Sequence, residues 1–214
     1  MIEKLKIYLK SNSLTELNIQ YQNKIQILSS EECTDIDLTQ NETLNFYTVK
    51  ASKISVIKIA VLFFQRFLLF IFNAIIMAYG DDWMNDLDPC ILYAVYTVKD
   101  QELKVKYIPS RVCKSPISIR KPQLIINNVV IETNTEIDFR RIDNFFIKRY
   151  IDIISGWIYC FTIITLPIIL SDRFKEIIAV YVILIVCIGS MFVWVMFKTY
   201  KTKKVLLNIC ESMT

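Results

Sequence analysis

Few side chains in this 214-residue chain are of a type and spacing that could perform covalent or acid–base chemistry. The chain has no histidine, which excludes Ser-His-Asp and Cys-His catalytic centres and most catalytic metal sites. It also lacks a glycine-rich phosphate loop and a nucleophile motif. We therefore expect no enzymatic activity, no catalytic residue and no cofactor.

The six cysteines are spread along the chain without a C-x-x-C pair, and two of them fall in strongly apolar segments. Zinc sites need clustered thiolates or imidazoles, and disulfide frameworks need an oxidising compartment. The pattern predicts free thiols in a reducing cytosol and no metal site. These cysteines are Cys33, Cys90, Cys113, Cys160, Cys187 and Cys210.

An acidic cluster surrounds one tryptophan in the middle of the chain. The simplest interpretation is a solvated turn that caps a short helix. Acidic groups beside an anionic leaflet are repelled, so a second interpretation is docking onto a basic partner or onto the chain's own basic residues. A Ca²⁺ or Mg²⁺ site is a third, although the spacing does not match an EF-hand loop. The cluster consists of Asp81, Asp82, Trp83, Asp86 and Asp88.

A polar stripe interrupts the apolar segment at residues 54–79. At about 100° per residue, its polar side chains fall within an arc of about 100°, which leaves the rest of the helix apolar. This pattern predicts an amphipathic helix in the membrane interface, either in-plane or re-entrant. The alternative is a spanning helix whose stripe faces a partner or a pore. The stripe consists of Lys58, Gln65, Arg66 and Asn73.

Two further apolar segments, residues 151–170 and 177–197, are each long enough to cross a bilayer as a helix. They predict a C-terminal transmembrane hairpin with one interior ionisable side chain, Asp152. Close helix packing in lipid requires small residues, so we expect the two helices to cross at Gly156 and Gly189.

Positive charges flank both outer ends of this hairpin, while the loop at residues 171–176 is balanced. Positively charged ends stay in the cytosol, which predicts a multi-pass protein of the cell membrane with most of the chain cytosolic. A third span at residues 54–79 would conflict with this arrangement. The flanking charges are Arg140, Arg141, Lys148 and Arg149 before the hairpin, and Lys198, Lys201, Lys203 and Lys204 after it.

Short segments with strand-like alternation lie on both sides of the amphipathic helix. We expect hairpins at residues 17–27, 36–49 and 124–131, and a last short strand at Ile137 and Phe139. Neither group of strands is large enough to fold alone, so together they predict one β-sandwich. A basic loop at residues 111–121 is interpreted as solvated, as attracted to anionic headgroups, or as an anion site.

The resulting fold class is an α+β integral membrane protein. Its predicted domains are the first half of a β-sandwich at residues 1–53, the interfacial helix at 54–80, an acidic loop with the second half at 81–145, the hairpin at 150–197 and a basic tail at 198–214.

The chain offers a folded surface and an anchor, which favours a membrane-tethered interaction module. Examples are an accessory subunit of a bacterial membrane complex and an immunity-type protein. The alternative is a small oligomeric transporter or channel component in which Lys58 and Arg66 line a path. Expected partners are anionic lipid headgroups and either a membrane protein or further copies of the chain. Nucleic acid is not expected, because the basic residues do not gather on an aromatic-rich element.

Overall fold

A computed structural model of the chain describes residues 3–11, 16–28, 33–38, 42–72, 84, 86–114, 116–169 and 174–213, and shows an α+β fold. The strands are β1 Glu3–Ser11, β2 Leu17–Tyr21, β3 Lys24–Leu28, β4 Cys33–Leu38, β5 Thr43–Thr48, β6 Cys90–Thr97, β7 Glu102–Ile108, β8 Arg111–Lys114, β9 Ile117–Arg120, β10 Gln123–Ile126, β11 Val129–Ile131 and β12 Asn134–Ile137. The helices are α1 Val56–Phe72, α2 Phe139–Ile169 and α3 Phe174–Met213.

The chain divides into two compact units. The first, called the β unit here, comprises Met1–Ser52, Asp81–Ile142 and Cys210–Thr214. The second, called the helical unit, comprises Lys53–Gly80 and Asp143–Ile209. The strands before and after α1 therefore belong to one compact unit.

The described strands form three sheets. The first sheet has the order β11-β10-β7-β1-β4, in which β1 and β7 are parallel, and the second has the order β12-β6-β5-β2-β3. The third is a separate hairpin of β8 and β9, where the sequence predicted only a basic loop. Strands β5 and β6, which flank α1 in sequence, pair directly with each other.

Two of the predicted hairpins are confirmed, and their turns explain why. β2 pairs with β3 through Gln22 and Asn23, and β10 pairs with β11 through Asn127 and Asn128. All four turn residues have positive φ, between 43° and 67°. Two consecutive residues of this kind match the twist of the strands on either side, and asparagine adopts the conformation readily.

The predicted hairpin at residues 36–49 is wrong. β4 pairs with β1 in the first sheet, whereas β5 pairs with β2 and β6 in the second. The alternation identified the inward side chains correctly, since Ile36, Leu44 and Phe46 are all buried. It did not identify neighbours, because a period of two fixes which face is buried and not which strand lies beside it. The predicted last strand also ends early, since Phe139 begins α2.

One hydrophobic core in the β unit receives side chains from both five-stranded sheets. On β1 and β7 the buried residues alternate with exposed ones, so each strand presents one apolar face. The core consists of Leu5, Ile7, Leu9, Leu17, Ile19, Leu28, Ile36, Leu44, Phe46, Leu92, Ala94, Leu103, Val105, Tyr107, Leu124 and Ile126.

Two helices, α2 and α3, are long and apolar enough to cross a membrane. α3 begins at Phe174, inside the predicted loop, and continues to Met213. The predicted basic tail at residues 198–214 is thus helical through Met213, and this part of α3 buries Leu206 and Cys210 completely.

Candidate functional site

The polar stripe lies on α1, where its described members have different environments. Lys58 and Gln65 are exposed, Arg66 is half-buried, and Asn73 lies outside the described residues. Ser55 precedes the helix and caps it, because its Oγ accepts a hydrogen bond of 3.2 Å from the Lys58 backbone N–H.

Arg66 forms an ion pair with Asp152, the interior carboxylate of the predicted hairpin. The distance from Arg66 Nε to Asp152 Oδ1 is 3.0 Å. Both residues stand out in the sequence as ionisable side chains inside apolar segments, and such residues usually pair with each other. That rule could have suggested the pair before the structure was known.

A second contact shows how α1 lies relative to α2 within the helical unit. Ile54, just before α1, donates its backbone N–H to Asn144 Oδ1 at 3.4 Å. From Ile54 to Arg66 the chain advances about 18 Å, and from Asn144 to Asp152 about 12 Å, at about 1.5 Å per residue. On both helices the second contact lies further toward the C-terminus than the first, so α1 runs alongside α2 in the same direction.

α2 and α3 are antiparallel, with their contacts made by large side chains. The Lys203 Nζ atom lies 2.7 Å from Asp143 Oδ1, and further along the pair the ring centroids of Trp157 and Phe192 are 5.0 Å apart. These rings occupy the region where a glycine crossing was predicted.

The predicted close crossing at Gly189 is wrong. No heavy atom of the described residues lies within 4 Å of a Cβ built on Gly189, apart from its chain neighbours and its own helix backbone. Gly156 is buried on α2, directly beside Trp157. The helices therefore meet through the Trp157 and Phe192 rings, and Gly189 faces open space.

In the β unit, the Arg141 side chain is 12% exposed and contacts four other residues. Its guanidinium donates to the Cys90 carbonyl at 2.7 Å and to the Val49 carbonyl at 2.6 Å. It also forms ion pairs of 3.3 Å with Asp88 Oδ2 and 3.5 Å with Asp138 Oδ2. A planar group with five N–H donors can bind four acceptors in this way, whereas lysine could not.

Asp88 is used inside the β unit and not at its surface. Besides Arg141, its carboxylate accepts hydrogen bonds from the Tyr107 hydroxyl at 3.2 Å and from the Ser110 hydroxyl. Burial, followed by the charge of Asp88, raises the pKa of Tyr107, so its hydroxyl stays a neutral donor.

These contacts correct the predicted acidic docking cluster. Asp88 is paired with one of the chain's own basic residues, which was one of the interpretations offered, and is not available to a separate partner. Asp86 is exposed, while Asp81, Asp82 and Trp83 lie outside the described residues.

Asp138 caps α2 and holds two connections together. Its Oδ1 accepts the Arg140 backbone N–H at 3.0 Å, and its Oδ2 accepts the Ala51 backbone N–H at 2.7 Å. Ala51 lies just before the chain leaves the β unit for α1, and Asp138 lies just before it leaves through α2. We call the end of the β unit that carries these two residues the exit end.

The role of Arg141 was missed from the sequence. The charge pattern places it among the cytosolic flanking charges, but its side chain is only 12% exposed and is paired with Asp88 and Asp138 inside the β unit. An aspartate three residues earlier, in N-cap position, was the available signal for a helix start and a local ion pair.

Within the described part of the chain, no group of three or more histidine, cysteine, aspartate or glutamate side chains could hold a metal ion. All six cysteines are free thiols, and Cys113 is exposed on β8.

Comparison with protein-family models, with curated proteins and with solved structures found no match to this chain.

Replacing Arg141 with Gln should destabilise the protein, because the mostly buried carboxylates of Asp88 and Asp138 and two carbonyls lose their donor. We expect a loss of about 3 kcal/mol, or a midpoint lower by about 6–12 °C in thermal unfolding of the full-length protein followed by circular dichroism. Arg140→Gln is the matched control, since Arg140 is exposed one residue earlier. Equal midpoints for the two variants would contradict the assigned role.

The Arg66–Asp152 pair should appear as coupling in a double-mutant cycle of Arg66→Gln and Asp152→Asn. Because the pair is partly exposed, we expect a coupling of about 0.5–1 kcal/mol, with the double variant hardly less stable than either single variant. Lys58→Gln is the control, and it should add independently to Asp152→Asn. Additive effects of Arg66→Gln and Asp152→Asn would disprove the interaction.

Proposed function

We propose that this protein is a membrane-tethered interaction module that holds a partner polypeptide at the cytosolic face of a cell membrane. The observation that carries the proposal is a pair of uncharged, partly apolar rows on the outer face of the second sheet, in a unit connected to two membrane-competent helices.

The surface of α3 supports its proposed role as a membrane anchor. None of residues 180–197 of α3 is buried, and Val186, Met191 and Trp194 are among the exposed side chains. A core helix of a soluble protein buries such residues, whereas lipid accepts them. Lys198, Lys201 and Lys204 follow this apolar stretch, which agrees with a cytosolic position for that end of the helix.

The β unit supports the module. Two five-stranded sheets with one common core are the components of a β-sandwich, and we propose that arrangement on the cytosolic side. α1 would then be re-entrant and not in-plane, because it runs alongside α2, and a helix parallel to a spanning helix points into the bilayer.

The outer face of the second sheet carries two neighbouring rows of uncharged side chains. In each row the strand register places directly paired residues side by side. The first row is Ile27, Asn18, Tyr47 and Tyr93, and the second is Ile25, Gln20, Asn45 and Val95.

Four apolar residues of these rows are open to solvent. The exposed fractions are 64% for Ile25, 55% for Ile27, 45% for Tyr93 and 51% for Val95. Covering such side chains contributes about 25 cal/mol per Å² of apolar area, and adjacent apolar side chains on one face are typical of interaction surfaces. Asn18 lies among them, buried, and its Nδ2 has no hydrogen-bond partner within the described residues.

The transport alternative receives less support. A path-lining arginine should face water, but Arg66 is neutralised by Asp152 in an ion pair between two helices of the same chain. Lys58, near the start of α1, is the remaining described charge of the stripe.

The topology can be tested by labelling intact cells with an impermeant maleimide. The exposed thiols Cys33 and Cys113 should be protected, because the β unit is cytosolic, and both should react after permeabilisation. In a Ser171→Cys variant, the introduced thiol lies between the two predicted spans in sequence and should react in intact cells. Labelling of Cys113 without permeabilisation would place the β unit outside and refute the proposal.

The interaction face can be tested by purification of the full-length protein in mild detergent. We expect a second polypeptide in stoichiometric amount, and we expect Ile27→Glu to lose it because a charge enters the apolar rows. Tyr8→Glu is the matched control, since Tyr8 is 41% exposed on the outer face of the first sheet. A homo-oligomer that survives Ile27→Glu would instead favour the transport alternative.

A further inference from the structure

The β8–β9 hairpin displays two arginines directly opposite each other. Arg111 pairs with Arg120 and Cys113 with Ser118, so these four side chains share one face. Arg111, Cys113, Ser118 and Arg120 are all exposed. Val112, on the other face, is 1% exposed and fixes the hairpin to the β unit.

Like charges directly opposite each other on adjacent strands destabilise a hairpin. Neither arginine forms an ion pair with any residue that the structure describes. Lys121 follows Arg120 and is also exposed. The pair therefore concentrates uncompensated positive charge, and an anion placed between the two guanidinium groups would relieve the repulsion.

The hairpin starts at the exit end of the β unit. Arg111 directly follows Ser110, whose Oγ accepts the Cys90 backbone N–H at 3.1 Å and donates to Asp88. Asp88 in turn pairs with Arg141, three residues after the Asp138 cap of α2. The arginine pair thus begins at the exit end of the β unit.

We propose that the β8–β9 hairpin binds the phosphate groups of anionic phospholipids, with Arg111 and Arg120 on either side of one headgroup. This inference rests on the proposed membrane attachment, because only a membrane at the exit end brings headgroups to the hairpin. Guanidinium groups bind phosphate oxygens in a bidentate manner, and the Ser118 hydroxyl can donate a further hydrogen bond. The face has no aromatic side chain on which a nucleic-acid base could stack.

Cys113 provides a native reporter because its thiol lies on the face of the arginine pair. In full-length protein carrying Cys33→Ser, Cys160→Ala and Cys187→Ala, it is the only exposed cysteine left, since Cys90 and Cys210 are buried. Burial also raises the pKa of the Cys90 thiol, so Cys90 should stay unreactive as long as the β unit is folded.

The experiment compares the rate of maleimide reaction at Cys113 in nanodiscs of phosphatidylcholine alone and of phosphatidylcholine with phosphatidylglycerol. We expect the rate to be lower by about fivefold or more in the anionic discs, and added salt should remove the difference. Arg111→Gln/Arg120→Gln should give equal rates in both discs. The matched control is Lys24→Gln/Lys99→Gln, which removes two exposed lysines at the opposite end of the second sheet and should keep the difference.

Each other outcome overturns the inference in a recognisable way. Equal rates in both discs for the parent, with the protein fully incorporated, would reject headgroup binding and leave membrane attachment intact. Protection by glycerol phosphate in neutral discs would assign the arginines to a soluble phosphate. Failure of the protein to enter nanodiscs at all would reject the membrane proposal itself.

Discussion

The pairing of one mostly buried guanidinium group, that of Arg141, is the constraint on which the exit end of the β unit depends. A buried charge is tolerated only when its donors are paired, and Arg141 finds acceptors at Val49, Asp88, Cys90 and Asp138. Val49 follows β5, Asp88 precedes β6, Cys90 begins β6, and Asp138 caps α2. The ion pairs and hydrogen bonds of one side chain thus fix three connections, and the two points where the chain leaves for α1 and α2 stay together.

The strands show what local patterns can predict. Alternation identified the inward side chains because a half-buried strand must separate apolar from polar residues at period two. The Asn127-Asn128 turn predicted its hairpin because its conformation at positive φ fixes both partners locally. The strands β4 and β5, which the alternation predicts as a hairpin, enter different sheets. Their partners, β1, β2 and β6, are set by a common core, and that information is spread over the whole chain.

In the candidate site, too, the sequence reveals local patterns but not how distant elements pack. The stripe on α1 could be found from the sequence because the residues of one helix face recur at a fixed spacing. For Arg66, the tendency of ionisable side chains in apolar segments to pair suggests Asp152, but only the packing of α1 against α2 shows the contact. Gly189 shows the opposite error: small residues permit a close approach but do not require it, and the Trp157 and Phe192 rings make the contact instead. Asp88 was assigned to the surface because composition alone does not reveal burial.

The outer faces of the two sheets differ in a way that bears on function. On the first sheet, Lys6 lies between Asp35 and Glu102 in register, so the face is covered with solvated charges of both signs. On the second, the rows through Ile27 and Val95 contain no charge, although 21% of the residues in the chain are charged. A sheet face exposed to solvent gains solubility from charged side chains. A face covered by a partner must lack charges that would be buried unpaired. Both sheets contribute side chains to one core, so folding alone does not require this difference. A partner seated on the second sheet would account for it.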